Sequence, residues 1–250
     1  MPTPLSALRK SWDAAGALLA RRVRAGGRCA VCRGWCEGGL CRWCEDRFAT
    51  RAARCPLCAI ALPSGAPAAQ ACLRCILVPP AWSSATAGVD YAYPWSGLLA
   101  EFKFLERPER ADVLLQPLLA RLGKQPPPAD LRLVPVPLAG ERLRERGYNQ
   151  SWELARRLAR AWSLQARPDA LFRVRDTAHQ LALHRTERDA NLRGAFVVTP
   201  ARAAWVRGAR IALIDDVLTT GATASAATRV LRAAGAAEVR VWVVARTPST

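Results

Sequence analysis

Two adjacent carboxylates and a row of hydroxyls follow a short apolar run near the end of the chain. Asp215 and Asp216 come directly after the apolar residues 211–214, and three threonines and a glycine fall within 219–223. Ionised carboxylates accept hydrogen bonds from the vicinal hydroxyls of a ribose or from waters on Mg²⁺. Hydroxyls and backbone N–H groups just ahead of a helix N-terminus favour a phosphate. The segment therefore predicts a site for a phosphorylated ribose.

The expected fold of this segment is a strand, a turn and a helix. The apolar run predicts a strand that is covered on both faces, and 222–234 predicts a helix that returns along the sheet. Open α/β sheets bind ligands at the carboxyl ends of their strands. The ligand-binding residues are then expected in the turn, at Thr219, Thr220, Gly221, Ala222 and Thr223. A simpler interpretation is a solvated Asp-Asp turn with a threonine cap.

The cysteines form a second chemical pattern. All nine lie between positions 29 and 75, and eight form Cys-x-x-Cys pairs: Cys29 with Cys32, Cys41 with Cys44, Cys55 with Cys58, and Cys72 with Cys75. Each pair presents two sulfurs to one ion, and two pairs complete the tetrahedron of a structural Zn²⁺ site. The links of eight residues after Cys32 and thirteen after Cys58 favour two consecutive ribbons over a cross-braced arrangement. Two structural Zn²⁺ ions are the expectation.

Disulfides are the alternative for these cysteines, and they need an oxidising compartment. No apolar run reaches the roughly 18 residues that span a bilayer, and the N-terminus lacks an uninterrupted signal-peptide core. The thiols are therefore expected to stay reduced and metal-bound, in a cytoplasmic protein that is not an integral membrane protein. Cys36 is left over, either as a free thiol or as a replacement ligand. The cysteine segment has too little core to fold unaided, so metal binding should supply its folding energy.

Composition bounds the partners but does not select one. The 250 residues are 51% hydrophobic, which suffices for a full core, and 37 basic against 20 acidic residues give a formal charge of +17. Such a surface meets anions, among which nucleic acid, nucleotides and acidic lipid are all candidates. Apolar residues at alternating steps of three and four predict an amphipathic helix within 1–27. This helix would pack on its own protein, on a partner or on a membrane surface. Its apolar residues are Leu5, Leu8, Trp12, Ala15, Leu19 and Val23.

The remaining elements would position the acid doublet. Residues 79–88 are typical of a linker, and strands are predicted at 89–93, 131–136 and 239–244, with a helix at 96–104. Lys103 on that helix would meet either solvent or a phosphate.

The loop after the strand at 131–136 is the place to expect diphosphate contacts. Arg146 can make bidentate bonds to phosphate oxygens, Gly147 allows close backbone approach, and Asn149 and Gln150 can donate amides. Alternatively, Asn149 caps a helix. Residues 173–193 are polar without clear periodicity and predict a mobile loop.

Taken together, these segments resemble the ComF/GntX family of type I phosphoribosyltransferase-like proteins. The DDVLTTGAT run at 215–223 resembles the phosphoribosyl-diphosphate (PRPP) signature of that superfamily. Further similar segments are 102–104 (FKF), 134–138 (VPVPL), 146–151 (RGYNQS), Arg175 with Thr177 and Gln180, and Arg188 with Asn191 ahead of 194–196 (GAF). The family often places a glycine shortly after the Lys-Phe pair, whereas Leu105 follows here.

The resemblance implies an α/β fold, with a type I phosphoribosyltransferase-like parallel-sheet domain at 79–250 preceded by a small cysteine-rich zinc-ribbon module at 28–78. It implies a PRPP-like ligand bound with Mg²⁺, with Asp215, Asp216 and Arg175 in catalysis. Arg146 and Arg188 would join Arg175 on the leaving diphosphate, and the mobile loop would close over it.

The same resemblance implies an association with natural competence and DNA uptake. Single-stranded DNA or a DNA-uptake or recombination protein is then a further expected partner. A phosphoribosyltransferase is the first hypothesis for activity. A non-catalytic PRPP sensor or scaffold that binds DNA or such a partner is the alternative, because no segment displays a signature for recognising an acceptor base.

Overall fold

A five-stranded sheet forms the centre of the chain. The computed structural model describes residues 27–49, 52–67, 69–123, 127–174 and 194–248. All neighbouring strands of the sheet are parallel, in the order β3-β9-β8-β4-β5. Its strands are β3 (Ser84–Asp90), β4 (Arg132–Pro135), β5 (Gln165–Ala166), β8 (Arg210–Leu218) and β9 (Glu238–Arg246). Two antiparallel pairs lie outside it: β1 (Gly27–Arg28) with β2 (Trp35–Cys36), and β6 (Leu171–Arg173) with β7 (Phe196–Val198).

Eight α-helices accompany these strands in the described ranges. They are α1 (Arg42–Phe48), α2 (Leu73–Leu77), α3 (Trp95–Phe104), α4 (Arg110–Leu122), α5 (Gly140–Arg146), α6 (Gln150–Trp162), α7 (Ala203–Val206) and α8 (Ala222–Ala233), with a 3₁₀ turn at Pro200–Arg202 before α7. None of the helices in these ranges has the length and apolar character that crossing a bilayer requires. The helix predicted within 1–27 lies outside the described residues, apart from Gly27 in β1.

Strand β8 runs through the middle of the sheet and is covered on both faces, as its apolar run predicts. Ala212 and Ile214 belong to the hydrophobic cluster that α3, α4 and α6 form on one face. Ile211 and Leu213 belong to the cluster that α8 forms on the other. All four side chains are fully buried. The parallel α/β fold expected from the sequence is confirmed.

The strand is longer than the sequence indicates. Its pairing with β9 continues to Leu218 opposite Arg246, so both aspartates lie inside β8 and the turn begins only at Thr219. Backbone pairing with β9 extends the strand past its apolar residues. Helix α8 begins at Ala222, as predicted.

The assignment of residues 79–88 to a linker is wrong in part, because Ser84–Asp90 is the edge strand β3. Small side chains conceal this strand in the sequence, since they allow α4 to lie almost on its backbone. A Cβ on Gly88 would lie 2.8 Å from the backbone nitrogen of Leu118 in α4. Helix α4 itself has no counterpart among the sequence predictions.

The cysteine region packs directly against the sheet domain. Cys29, Ala30, Leu40 and Cys44 share one hydrophobic cluster with α3, α4 and α6. Further along, the backbone N–H of Ala85 in β3 donates to the carbonyl of Pro56 at 2.8 Å. The domain boundary between 28–78 and 79–250 remains a prediction. The buried contacts across it mean that the stability of each part depends on the other.

Candidate functional site

The acid doublet lies at the carboxyl end of β8, where helices of one face supply its partners. The hydroxyl of Ser151, in the first turn of α6, donates to Oδ1 of Asp215 at 3.0 Å. The same oxygen accepts the backbone N–H of Asp216 at 2.9 Å. Oδ2 of Asp215 makes no hydrogen bond to another described residue. One oxygen is thus fixed by the protein, and the other is left for a ligand or a proton.

Asp215 differs from the sequence expectation of two fully ionised carboxylates. Burial raises the pKa of Asp215 to about 7, and the neighbouring charge of Asp216 acts in the same direction. Lys103 and the hydrogen bond from Ser151 oppose the shift without cancelling it. Near neutral pH a large share of Asp215 is therefore protonated, which leaves the doublet with less negative charge than two free carboxylates would carry.

Lys103 is the partner of the second aspartate. Its ammonium nitrogen lies 2.9 Å from Oδ2 of Asp216, and the two side chains are 22% and 13% exposed. The sequence alone did not decide whether Lys103 would face solvent or contact a phosphate. The structure places it in the site instead, because the last turn of α3 ends beside the carboxyl end of β8.

Arg146 lies at the same end of the sheet. It is the last residue of α5, which Gly147 ends in a left-handed conformation at φ 70°. Its guanidinium stacks over the ring of Phe104 at 4.9 Å and donates to Oε1 of Gln150 at 3.2 Å. Burial lowers the pKa of Arg146, and the charge of Asp216 opposes that shift. The guanidinium of Arg146 therefore lies within electrostatic range of the acid doublet.

The two amides after Arg146 serve the fold. Asn149 caps α6 by accepting from the backbone N–H of Trp152 at 3.2 Å, and it donates to the carbonyl of Val136 at 3.1 Å. Between the two alternatives for Asn149, the geometry favours the cap. Gln150 is 2% exposed, and its Nε2 is buried without a hydrogen-bond partner. Its carbonyl orients Arg146, so the pair acts as a unit.

The turn after β8 keeps the features of a phosphate-binding loop. Within the described part of the chain, the backbone N–H groups of Thr219, Thr220 and Gly221 make no hydrogen bond. Gly221 adopts φ 87°, a left-handed conformation that suits glycine, and it directly precedes α8. Oγ1 of Thr220 accepts the N–H of Ala222 at 3.3 Å. These free donors at the start of a helix of twelve residues form the arrangement that favours an anion.

Two of the sequence-predicted site residues, Arg175 and Arg188, lie outside the described residues, as does most of the predicted mobile loop at 173–193. The described ends of that segment pair in the β6–β7 hairpin, where Arg173 lies opposite Phe196. The two described ends of the segment are therefore neighbours. The hairpin itself was not predicted.

The eight paired cysteines form two groups, each built from consecutive pairs. Cys29, Cys32, Cys41 and Cys44 form the first cluster, and Cys55, Cys58, Cys72 and Cys75 form the second; the sulfurs within each lie within 4.8 Å of one another. The prediction of sequential rather than cross-braced pairing is confirmed. Cys36 belongs to neither group.

The donor sets fit zinc. The sulfurs of Cys32 and Cys41 are 3.7 Å apart, as are those of Cys58 and Cys72. A tetrahedron with Zn–S bonds of about 2.3 Å gives sulfur separations of about 3.8 Å. Burial opposes ionisation of Cys29, but N–H donors, that of Cys41 foremost, lower the pKa of its thiol to about 6, whereas burial raises the pKa of the Cys44 thiol in the same cluster. All eight cysteines are free of disulfide bonds.

Comparisons with known proteins agree with this architecture. No protein-family model matches the chain. DNA utilization protein YhgH of Salmonella typhi is 36% identical over 232 residues, which cover 88% of this chain and 97% of the relative. The protein of the same name from Escherichia coli strain K12 is 35% identical over 234 residues, with the same coverage. Competence protein F of Haemophilus influenzae is 31% identical over 226 residues, covering 88% of this chain and 96% of the relative.

A parallel α/β domain with an acid doublet and an open loop ahead of a helix, joined to two four-cysteine clusters that could each hold a metal ion, defines the class of this protein. Within that class, the identity to these relatives over most of both chains shows that this chain belongs to the ComF family.

Two solved structures overlay on part of the chain. One is a glutamine PRPP amidotransferase from B. subtilis in complex with ADP and GMP, with a TM-score of 0.38 and 19% identity. The other is an allosteric regulatory enzyme of purine biosynthesis, with a TM-score of 0.39 and 20% identity. Each overlay covers 58% of this chain but only 30% of the other chain.

Zinc content tests the two clusters. Elemental analysis of purified protein should find about two zinc ions per chain, because each cluster supplies the four thiolates of a closed site. Cys44→Ser should lower the content to about one ion, whereas the matched variant Cys36→Ser should leave it unchanged. Less than about one ion in the wild-type protein would contradict the assignment.

The protonation of Asp215 gives a second prediction. The side-chain carboxyl carbon of Asp215 should titrate in an NMR experiment with a midpoint near 7. Asp216→Asn should lower this midpoint, since it removes a neighbouring negative charge and releases Lys103. A midpoint at the ordinary value in the wild-type protein would contradict the geometry.

The same shift predicts a slope in stability. The folded chain holds the Asp215 proton more tightly than the unfolded chain between pH 3.8 and about 7. Its free energy of unfolding should therefore fall as pH rises through this window. Asp215→Asn should flatten that part of the curve in urea titrations, and an unchanged slope would count against the shift.

Proposed function

We propose that the chain binds PRPP, or a closely related phosphoribosyl compound, at the carboxyl end of β8. The observation that carries the proposal is the convergence of the acid doublet, Lys103, Arg146 and the open donors of the loop 219–223 at one end of the sheet. A ligand with a diol, a phosphate and a second anionic group would satisfy all of them.

Each part of the site matches one part of such a ligand. The loop of Thr219, Thr220, Gly221, Ala222 and Thr223 would hold the 5′-phosphate through backbone N–H groups and hydroxyls. The doublet would accept the ribose hydroxyls. Arg146 would hold the diphosphate, together with Arg175 and Arg188 from outside the described residues.

Mg²⁺ is the cation that PRPP brings to this site. Carboxylates and phosphate oxygens are its preferred ligands, and Asp216 offers a carboxylate oxygen at the site. When bound, Mg²⁺ neutralises part of the diphosphate charge. Lys103 would keep Asp216 oriented in the free protein and would release it, or share it, when the ligand arrives.

In the catalytic form of the proposal, a nitrogen nucleophile attacks the anomeric carbon of the ribose, and the bond to the diphosphate breaks with its electron pair. The leaving group already carries negative charge, so positioning and charge stabilisation would supply most of the acceleration. Arg146, which is held by Phe104 and Gln150, would stabilise the charge of the departing diphosphate. Oδ2 of Asp215 is available to exchange a hydrogen bond or a proton with a ribose hydroxyl.

Calorimetric titration of Mg-PRPP into the purified chain tests binding. The wild-type protein should bind, and Asp215→Asn and Thr220→Ala should abolish or strongly weaken binding. Arg146→Ala should weaken it by about 10- to 100-fold, the usual effect of losing a charge-assisted hydrogen bond. Arg144→Ala on the same helix is the matched control, because Arg144 is exposed and should have little effect.

Turnover separates the two forms of the proposal. Release of diphosphate after addition of candidate bases would establish an enzyme. Binding without release against every acceptor would establish a sensor or scaffold. Equal heats of binding for the wild-type protein and Thr220→Ala would exclude the proposed site.

A second candidate function, binding of single-stranded DNA, is favoured by an aromatic surface that the first ribbon (27–49) forms with the neighbouring Tyr93. Trp43, Phe48 and Tyr93 form a chain of edge-to-face contacts, with Arg47 over the first two rings. Trp43 is 61% exposed and Tyr93 is 74% exposed. Exposed rings beside arginines are the stacking platform that unpaired bases use. The names of the relatives, a DNA utilization protein and a competence protein, support this candidate.

Salt titration of oligonucleotide binding tests this surface. Affinity for single-stranded DNA should fall steeply as salt rises, since arginines release counterions from phosphates. Trp43→Ala should cost about 1–3 kcal/mol, the usual value of one stacked base. Phe172→Ala, an exposed aromatic on β6 away from the ribbon, is the control. Affinity that is independent of salt, or equal losses in both variants, would remove the candidate.

A further inference from the structure

Two buried side chains join the second cysteine cluster to the anion loop. Arg246, the last residue of β9, is 5% exposed, and Trp82, just before β3, is 6% exposed. Each of these side chains contacts two segments: the turn between Cys55 and Cys58, and the loop after β8.

Arg246 makes the polar half of this link. Its Nε donates to the carbonyl of Cys58 at 2.9 Å. Its Nη1 donates to the carbonyls of Leu218 at 2.8 Å and Thr219 at 2.6 Å, where β8 passes into the loop. One planar guanidinium therefore fixes the position of the Cys55–Cys58 turn relative to the loop after β8.

Trp82 makes the apolar half. Its indole N–H donates to the carbonyl of Leu57, between the two cysteines of that turn, at 2.6 Å. Its ring lies against Gly221, where a Cβ would meet the ring at 2.8 Å. Only glycine permits this close approach, so the Trp82 ring packs directly against the backbone of the loop.

The second cluster favours this arrangement electrostatically. Four thiolates around one divalent zinc would leave the cluster negatively charged, and this charge would favour the guanidinium of Arg246, which donates to the carbonyl of Cys58. A cavity of about 190 Å³ also lies between the second ribbon and α8, with Trp82, Gly221 and Arg246 in its wall. Packing is therefore incomplete at this junction, and the contacts of Arg246 and Trp82 cross it.

The first cluster has no such link. Its surroundings bond to the opposite part of the fold, through Gln116 to the carbonyl of Gly38 at 2.6 Å and Trp95 to that of Phe48 at 2.8 Å. Among the described residues, no hydrogen bond joins 27–49 to the loop at 218–221. The two clusters therefore differ in what they hold in place.

We propose that the second cysteine cluster, through Arg246 and Trp82, positions the phosphate-binding loop, so that metal occupancy of this cluster and anion binding at the loop are thermodynamically coupled. The proposal deepens the proposed function, on which its ligand part rests. Arg246 and Trp82 are positioning residues, since they act through the loop. Because coupling between binding free energies is reciprocal, a phosphoribosyl ligand should also raise the metal affinity of the second cluster and leave that of the first unchanged.

Matched cysteine variants of the full chain test the coupling. Cys72→Ser disables the second cluster without removing any partner of Arg246, and Cys32→Ser disables the first. Hydrogen–deuterium exchange reports on the amides that are hydrogen-bonded to the loop, those of Ala222, Ser225 and Thr247. They should exchange about tenfold faster in Cys72→Ser and at an unchanged rate in Cys32→Ser. Equal acceleration in both variants, or none in Cys72→Ser, would overturn the proposal.

A second variant keeps the test independent of the folding of the ribbon. Trp82→Phe leaves all the cysteines in place and removes both halves of the Trp82 contact, the indole donor to Leu57 and the outer ring atoms that lie against Gly221. It should accelerate exchange of the same amides while elemental analysis still finds the zinc content of the wild-type protein. Protection equal to wild type would contradict the role of Trp82.

Ligand binding completes the experiment. The Kd for Mg-PRPP should rise about tenfold in Cys72→Ser and stay within about twofold in Cys32→Ser. If the wild-type protein binds no PRPP, the proposed function fails, and the exchange data still decide whether the cluster positions the loop. Unchanged affinity in Cys72→Ser, with wild-type binding intact, would refute the coupling alone.

Discussion

Two adjacent carboxyl groups at the buried end of a central strand impose the constraint around which the site is built. Desolvation and mutual repulsion disfavour two charges there, so the fold supplies Ser151 and a backbone N–H to Asp215 and an ammonium to Asp216. Lys103 arrives from α3, Ser151 from α6, and Arg146 from α5. Helices on one face of the sheet thus supply the partners of the doublet at the carboxyl end of β8. The proposed phosphoribosyl ligand would replace some of these internal partners.

What the sequence predicted correctly was local. The apolar run 211–214 predicts a doubly covered strand from its own side chains, and the spacing of the cysteine pairs limits which sulfurs can meet. The residues it missed depend on distant contacts. Ion pairing of Lys103 with Asp216 requires the relative position of α3 and β8, and the edge strand β3 is concealed by small residues whose purpose is close packing on α4. Arg246 left one local signal, a single arginine ending an apolar strand.

The two ribbons are integrated differently, which bears on why one chain would carry both. The first contributes Cys29 and Cys44 to the main hydrophobic cluster and presents exposed aromatic rings to solvent. The second contacts the edge strand and the loop after β8 through backbone carbonyls that Arg246 and Trp82 bind. These contacts support the proposed division of roles, in which the first ribbon would offer a surface to a partner and the second would support the loop after β8. Family membership is shown by the relatives, whereas this division rests on the contacts themselves.

The central claim is that the acid doublet and the threonine-glycine loop bind one sugar phosphate together. Its most direct test is an NMR titration of isotope-labelled protein with Mg-PRPP, following the amides of 215–223 and the side-chain ammonium of Lys103. The account predicts that these signals shift together along one binding curve, because a single ligand contacts loop and doublet at once. Shifts confined to the first ribbon, or loop signals that stay in place at saturating ligand, would contradict it.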